Sequence, residues 1–116
     1  MPNSLKAGDV VLVDLGMRAK VRPCVVLAPK PDSQRNLTIV APLTREIRGS
    51  ECEVAFPKPR WLHDTCVLSL AGLLGVEFSK IEGRLGAFPD DKLQEAQAIL
   101  ARIFDLENPP GKQTAT

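Results

Sequence analysis

The chain lacks the patterns that mark membrane and secreted proteins. No apolar run approaches the roughly 18 residues that a membrane-spanning helix needs. The first four residues, Met1 to Ser4, have neither the basic nor the apolar region of a signal peptide. We therefore expect a soluble cytoplasmic protein that has no membrane partner.

Cysteine and histidine are also scarce. The three cysteines, Cys24, Cys52 and Cys66, are odd in number and share no close spacing, so each is expected to be a buried free thiol in an apolar strand. His63 is the only histidine, and we predict no metal site and no other cofactor. With Asp64 it could form an acid–base pair, because histidine titrates near neutral pH. Adjacent residues rarely form such a pair, and a structural histidine is the alternative.

The composition that remains is that of an ordinary globular protein with an uneven charge. The 116 residues are 44% hydrophobic and 25% charged, which suits one domain with its own core. Residues 1–62 hold ten Lys and Arg against six Asp and Glu, net +4, whereas residues 63–116 hold five against eight, net −3. This division permits a basic ligand face, although a solvated surface explains it equally well.

Short β-branched and apolar runs, bounded by Gly and Pro, predict a mainly β fold. The predicted strands cover residues 8–15, 24–28, 37–44, 51–56 and 65–70, with an edge hairpin or strand within residues 76–88. The third strand should break or bend near Pro42. The fourth alternates polar with apolar residues, as a strand with one face in water does.

One helix is predicted near the C-terminus. Pro89, Asp90 and Asp91 suit its first turn, where free amide groups and the helix dipole favour negative charge. An apolar stripe at steps of three and four residues predicts either a core face or a protein interface. The stripe consists of Leu93, Ala96, Leu100, Ile103 and the neighbouring Phe104.

The helix should end within residues 105–107. Residues 1–107 then form a single domain, and the polar residues 108–116 form a disordered tail. Many short strands followed by one helix suggest an α+β fold, with a strongly bent sheet or partly closed barrel whose open side the helix covers.

The stretch Lys20-Val21-Arg22-Pro23 lies between the first two predicted strands and is the leading candidate for a ligand site. Proline disfavours the α conformation at the residue before it, so Arg22 is held extended at the edge of a sheet. A cation fixed there can meet an anionic ligand. The alternative is a surface arginine that pairs with Asp9 or Asp14.

Several short motifs are informative because of their order. Gly8-Asp9-Val10-Val11 comes first, then Arg22-Pro23 with an apolar strand, then Val40-Ala41-Pro42-Leu43-Thr44. Ser79-Lys80-Ile81, Leu85-Gly86 and the final helix follow. Over about residues 7 to 106, this order resembles the MazF/PemK family of toxin endoribonucleases from type II toxin–antitoxin systems.

The resemblance implies an SH3-like small barrel of bent antiparallel sheet, closed by a C-terminal helix, and a homodimer. It implies metal-independent cleavage of single-stranded RNA, in which the ribose 2′-hydroxyl attacks and leaves a 2′,3′-cyclic phosphate and a free 5′-hydroxyl. A cognate antitoxin peptide neutralises such toxins by occupying the RNA groove. Carried over onto this sequence, the catalytic pair is Arg22 and Thr44.

Both residue types suit this chemistry. Attack by the 2′-hydroxyl builds negative charge on phosphate oxygens, which a fixed guanidinium can hold and to which Thr44 can donate a hydrogen bond. The pKa of arginine lies above roughly 12, so Arg22 is a poor base and is assigned to electrostatic stabilisation first. Without the resemblance, Thr44 is an ordinary threonine at the end of a strand.

Additional cations and one aromatic side chain are candidates for RNA contact. The predicted RNA-binding residues are Lys20, Arg45, Arg48, Lys58, Arg60 and Trp61. The arginines after Thr44 could bind phosphates or belong to a solvated loop. Trp61 could stack on an unpaired base, or it could form a dimer contact or part of the core.

One segment departs from the family pattern. Where many relatives carry an Asp-Gln-x-Arg-like stretch, this chain has Ser69-Leu70-Ala71-Gly72-Leu73-Leu74, so a polar and cationic part of the RNA groove is missing. A second hypothesis is therefore a weak or inactive module that keeps the fold and binds antitoxin or nucleic acid. A third is a related toxin fold that acts on a protein such as DNA gyrase, against which a basic groove around Arg22 argues.

Overall fold

The protein folds as an antiparallel sheet followed by one helix, which confirms the predicted mainly β class. A computed structural model describes residues 5–16, 21–57, 62 and 65–111. Within these ranges the strands are β1 (Asp9–Asp14), β2 (Val21–Ala28), β3 (Leu37–Thr44), β4 (Glu53–Phe56), β5 (Cys66–Ser69), β6 (Leu74–Glu77) and β7 (Ile81–Ala87). The helix is α1 (Asp90–Ile103), and 3₁₀ turns at Leu70–Gly72 and Phe78–Lys80 flank β6.

The sheet is organised around β3, which pairs with three other strands. Neighbouring strands follow the order β4-β5-β3-β2-β1-β7, and β6 pairs with β3 outside this path. Every pairing is antiparallel. No pairing among the described residues joins β4 to β7, so the sheet is open and its hydrogen bonds do not close a barrel.

The predicted break at Pro42 takes a different form in the structure. β3 is continuous, but its partner on one side changes from β6, along Leu37 to Val40, to β5, along Leu43 and Thr44. Proline has no amide proton to donate to a ladder, which is consistent with a change of partner at this position. The 3₁₀ turn at Leu70–Gly72 joins the two partner strands.

Alternation along the strands divides the core into two clusters. On β2, Val25 belongs to one cluster, whereas Cys24 and Val26 belong to the other. This is the two-residue period of a strand with both faces buried. The first cluster also takes up Ala96 of α1, and the second continues along β2 towards Arg22.

The helix confirms the predicted start and most of the predicted stripe. It begins at Asp90, after Pro89, and its side chains Leu93, Ala96 and Leu100 pack on the first cluster. The end of the predicted stripe does not pack on this cluster, since Ile103 is 36% exposed and Phe104 is 58% exposed. The last turn thus extends beyond the residues against which the helix packs.

One strand boundary and one strand pairing differ from the prediction. β2 begins at Val21 rather than at residue 24, so Arg22 lies within the strand and not before it. The segment 76–88 is not one hairpin, because β6 pairs with β3 and β7 pairs with β1. β7 does form an edge strand.

The three cysteines are free, but only two match the expected setting. Cys24 and Cys66 are buried in strands, whereas Cys52 is half-buried in the turn before β4. Of the predicted tail, residues 112–116 lie outside the described residues. None of the helices within the described ranges has the length and apolar character needed to cross a membrane.

The Gly8-Asp9 motif ties the start of β1 to the end of β7. Gly8 has a φ of +95°, which favours glycine, and a Cβ atom there would lie 3.3 Å from Leu93 Cδ2. Asp9 is only 4% exposed. Its carboxylate accepts a hydrogen bond from the Lys6 amide at 2.9 Å and forms an ion pair with Arg84 at 3.1 Å.

We expect Asp9→Asn to lower the free energy of unfolding by about 1–3 kcal/mol, because the amide cannot keep both partners of a buried carboxylate. Urea unfolding measures the change. Glu82→Gln, an exposed position on β7 with the same change in charge, should stay within about 0.5 kcal/mol of the parent. Equal losses in the two variants would contradict a specific role for Asp9.

Candidate active site

A cleft of about 290 Å³ opens where β2 begins and β3 ends. Its lining residues come from β2, β3, β4, β5 and the loop of residues 45–52, which we call the 45–52 loop. They are Arg22, Pro42, Thr44, Glu46, Arg48, Glu53 and Ser69. The two predicted catalytic residues therefore share one cavity.

Antiparallel pairing brings Arg22 and Thr44 together. Cys24 pairs with Pro42 and Val25 with Ala41. Continuing that register by two residues sets Arg22 opposite Thr44, and residues two apart on a strand share a face. The pair thus continues the face that buries Cys24, at the point where this face reaches solvent.

The Arg22 guanidinium is available to a ligand. Arg22 is exposed, and its side chain has no hydrogen-bond or ion-pair partner among the described residues. The alternative pairing with Asp9 does not occur, because Arg84 occupies that carboxylate. Asp14 accepts a hydrogen bond from the Gly16 amide at 2.8 Å.

The Thr44 hydroxyl already uses one of its acceptor positions. Its Oγ1 accepts a hydrogen bond from the Glu46 amide at 3.1 Å, which fixes the start of the 45–52 loop. A hydroxyl has one proton and two lone pairs, so the proton remains free to be donated. Thr44 can therefore act as a hydrogen-bond donor at the half-buried end of β3.

The 45–52 loop folds around the carboxylate of Glu53. Oε1 accepts hydrogen bonds from the amides of Gly49 at 3.0 Å and Ser50 at 3.1 Å. Oε2 accepts one from the Arg48 amide at 3.1 Å. Gly49 has a φ of +70°, a conformation that glycine adopts without strain, which lets the loop turn at this point.

The charges lining the cleft are two arginines and two glutamates. Arg48 donates to Glu46 at 2.9 Å, and both side chains are about three-quarters exposed. Exposed ion pairs of this kind contribute at most about 1 kcal/mol, so an anionic ligand can compete for Arg48. The Glu53 carboxylate accepts hydrogen bonds from backbone amides. Arg22, by contrast, can bind an anionic ligand without breaking any contact of its side chain with the described residues.

Of the segment 69–74, which departs from the pattern of the MazF/PemK family, Ser69 lines the cleft. Ser69 lies opposite Glu53 in the β4–β5 pairing. Leu70 is fully buried, whereas Ala71 and Gly72 are exposed in the 3₁₀ turn. This part of the surface carries no cation.

Cys24 lies two residues from Arg22 but is not a reactive group. Its Sγ donates weakly to the Arg22 carbonyl at 3.7 Å. Burial raises the pKa of its thiol from 9.0 to about 12, and the positive charge of Arg22 offsets part of that rise. Burial also raises the pKa of the Cys66 thiol.

The structure brings together three of the predicted site residues: Arg22, Thr44 and Arg48. Arg45 is exposed beside Thr44, but it is not among the described residues that line the cleft. The other predicted RNA-binding residues, Lys20, Lys58, Arg60 and Trp61, lie outside the described residues, as does His63.

Sequence reasoning missed the two carboxylates of the cleft. Glu46 sits two residues after Thr44, within a charged stretch that gave no sign of pairing. The alternation within residues 51–56 predicts only a strand with one face in water, and it indicates no partner for Glu53. The one available signal is the position of Glu53 three residues after Ser50, because a turn at Gly49-Ser50 exposes backbone amides from which a carboxylate can accept hydrogen bonds.

No cluster of three or more His, Cys, Asp or Glu that could hold a metal ion occurs in the described part of the chain. The independence from metal ions remains a prediction.

A protein-family model matches most of the chain and shows the family to which it belongs. The model of the PemK-like, MazF-like toxin of type II toxin–antitoxin systems matches residues 6–104. The chain belongs to the PemK/MazF toxin family. The match spans the chain from before β1 to the end of α1, and so includes both Arg22 and Thr44. Comparison with curated protein sequences gave no significant match.

Solved structures of MazF proteins share the fold of this family member. The MazE–MazF complex of Deinococcus radiodurans is 23% identical, with 87% of this chain and 95% of that chain covered and a TM-score of 0.73. The Mycobacterium tuberculosis toxin MazF-mt6 is 19% identical, with 84% and 96% covered and a TM-score of 0.70.

A mycobacterial endoribonuclease in complex with its cognate antitoxin is a third similar structure. It is 18% identical, with 91% of this chain and all of that chain covered and a TM-score of 0.76. At such identities the likeness shows the shared PemK/MazF fold.

We expect the stability of the protein to fall with rising pH above about 9 because of Cys24. The thiol ionises near 9.0 in the unfolded chain but only near 12 in the folded protein. As the pH rises, the unfolded state therefore loses the Cys24 proton before the folded state does. Between these two pKa values, the difference lowers the free energy of unfolding by up to about 1.4 kcal/mol per pH unit.

Urea unfolding of Cys24→Ala and of the parent between about pH 9 and 11 tests this expectation. The free energy of unfolding should fall less steeply with pH in Cys24→Ala than in the parent. Val26→Ala is the matched control, since Val26 is buried on the same face of β2 and carries no thiol. Its slope should equal that of the parent. The same slope in all three proteins would contradict the prediction.

Proposed function

We propose that this protein is a toxin endoribonuclease that cleaves single-stranded RNA without a metal ion and is neutralised by a cognate antitoxin peptide. The observation that carries the proposal is the single cleft shared by Arg22 and Thr44, in a chain of the PemK/MazF toxin family. Its RNA substrate would make the cytoplasm its site of action.

The proposed reaction is an internal transesterification. The ribose 2′-oxygen attacks the neighbouring phosphorus and loses its proton, while the bond from phosphorus to the 5′-oxygen breaks and that oxygen gains a proton. The products are a 2′,3′-cyclic phosphate and a free 5′-hydroxyl. Negative charge develops on the non-bridging phosphate oxygens, so preorganised donors at those atoms accelerate the step.

Arg22 would hold the developing charge on the phosphate. Its guanidinium is exposed and, among the described residues, unpaired, so binding a phosphate breaks no existing ion pair. The bidentate fork of arginine matches two phosphate oxygens. Thr44 would donate a hydrogen bond from its hydroxyl to the same phosphate, because its Oγ1 only accepts in the contact with the Glu46 amide.

Arg48 would bind a neighbouring phosphate rather than the scissile one. Its guanidinium lies in the same cleft but is paired with Glu46. Contacts to phosphates orient RNA without reading its sequence. Lys20, Lys58, Arg60 and Trp61 are proposed as further RNA-binding residues, with Trp61 stacking on an unpaired base.

The proposed partners are a cognate antitoxin and a second copy of the chain. Two of the similar structures are complexes, one of MazE with MazF and one of an endoribonuclease with its cognate antitoxin. This likeness supports an antitoxin that covers the cleft. The homodimer rests on the family resemblance.

A second candidate function is a module that binds antitoxin or nucleic acid without turnover. The observation that favours it is the exposed Ala71 and Gly72 beside the cleft, where many relatives contribute polar and cationic side chains. Binding of RNA without cleavage would support this candidate.

We expect Arg22→Ala to lower kcat by at least about 10²-fold, because a donor to the developing phosphate charge is lost. Thr44→Val should have an effect of similar direction, whereas Thr44→Ser should keep most activity because it keeps the hydroxyl. Labelled single-stranded RNAs of varied sequence, in excess chelator, measure the formation of the 2′,3′-cyclic phosphate.

Glu82→Gln is the control for these measurements, and circular dichroism checks that each variant is folded. Unchanged activity in Arg22→Ala would refute this site. If no RNA is cleaved by the parent protein, the nuclease is refuted and the binding module takes its place. Cleavage that stops in chelator would refute the independence from metal.

We expect Glu46→Gln to tighten RNA binding about two- to five-fold, because the exposed ion pair that holds Arg48 is lost. Binding of an RNA with 2′-O-methyl groups, which cannot be cleaved by this route, measures the affinity. Glu82→Gln controls for the change in net charge. If it tightens binding equally, or if the effect persists in an Arg48→Ala background, the pair does not compete with RNA.

A further inference from the structure

We propose that Glu53 is the positioning residue of the cleft, and that its carboxylate sets the place of Arg48 by holding the backbone of the 45–52 loop. The effect on RNA kinetics rests on the proposed function. The contact between the Glu53 carboxylate and the loop, which we call the tether, does not. Glu53 would act through Arg48 and would not exchange a proton with RNA.

The contacts of Glu53 are made to consecutive backbone amides. Oε1 accepts from Gly49 at 3.0 Å and from Ser50 at 3.1 Å, and Oε2 accepts from Arg48 at 3.1 Å. Successive amides that converge on one anion form a nest. In many proteins such a nest binds a ligand, but here the occupant is the protein's own carboxylate.

Burial does not hold the 45–52 loop in place. Residues 45–51 are all exposed, and the one large apolar side chain among them, Ile47, is 53% exposed. The loop is fixed by hydrogen bonds instead. The Glu46 amide donates to Thr44 at its start, and the Glu53 carboxylate accepts from the amides in its middle. At its end the Cys52 amide donates to Ser50, and Arg102 of α1 donates to the carbonyl and the carboxylate of Glu51. Loss of the central contact leaves residues 46–50 with few constraints.

The tether is anchored on a rigid element. Glu53 is the first residue of β4 and pairs with Ser69 of β5. The next residue, Val54, is fully buried. The Glu53 amide also donates to the Ser50 carbonyl at 3.2 Å, so the backbone and the side chain of Glu53 both hold the loop.

The division of contacts between the two oxygens makes a selective test possible. A glutamine can keep its carbonyl oxygen toward Gly49 and Ser50, and its amide nitrogen then faces the Arg48 amide, a donor against a donor. Glu53→Gln therefore frees residue 48 while it retains the other two contacts. Glu53→Ala removes all three.

The consequence for RNA follows from the role of Arg48 as a phosphate contact. A misplaced Arg48 weakens binding of substrate and transition state alike, which raises KM and leaves kcat nearly unchanged. We expect Glu53→Gln to raise KM about three- to ten-fold and Glu53→Ala to raise it further. Glu82→Gln, which changes the net charge equally, should leave KM unchanged.

A double-mutant cycle with Arg48→Ala provides the decisive kinetic test. In the Arg48→Ala background, Glu53→Gln should change KM by less than about two-fold, because the residue that it positions is gone. An equal rise of KM in both backgrounds would overturn the proposal. A fall of kcat in both backgrounds would also overturn it, since that would make Glu53 a catalytic residue.

Nuclear magnetic resonance tests the tether without RNA. In the full chain, Glu53→Gln should shift the amide resonance of Arg48 most, Gly49 and Ser50 less, and the amides of the buried strand residues hardly at all. Equal shifts throughout the protein, or none at Arg48, would overturn the proposal. If the parent protein has no nuclease activity, the proposed function fails, and these resonances still decide whether Glu53 holds the 45–52 loop.

Discussion

The pairing of β2 with β3 is the constraint on which the site depends. Its register sets Cys24 against Pro42 and so directs Arg22 and Thr44 to the same edge of the sheet. The same pairing buries Val25, Val26 and Ala41 in two clusters, one on each face. A slip of one residue would exchange the faces of every side chain on the strand, so the core enforces the register that the site needs.

The cleft combines a cation on a strand with a cation on an exposed loop. Arg22 lies on β2 two residues before the fully buried Cys24 and opposite the fully buried Val13 of β1, so strand pairing holds its backbone against the core. Arg48 projects from an exposed loop that is held by the carboxylate of Glu53. In the proposed reaction, the first arrangement would hold the guanidinium at the reacting phosphate, where small errors in position are costly. The second would hold Arg48 at a neighbouring phosphate.

Local patterns in the sequence predicted most of the fold and marked Arg22 as a candidate, whereas Thr44 was a candidate only because of the family resemblance. The acids after Pro89 marked the start of α1, and the alternation in residues 51–56 marked β4. Contacts between distant strands were not predictable in this way. Asp9 binds Arg84 because β1 pairs with β7, and no local pattern prefers that arginine to Arg22. The tether at Glu53 was missed because its donors are backbone amides, which every residue type except proline carries.

Packing accounts for Leu70 and Gly72 in the segment that departs from the family pattern. Leu70 is fully buried in the first cluster, and its amide donates to the Cys52 carbonyl at 2.9 Å. A Cβ atom on Gly72 would lie 3.3 Å from Cγ of Pro42, so the 3₁₀ turn sits close against β3. A long polar side chain fits neither position without displacing its neighbours. The turn therefore supports the strand that carries Thr44, and the cations within the described cleft come from Arg22 and from the 45–52 loop alone.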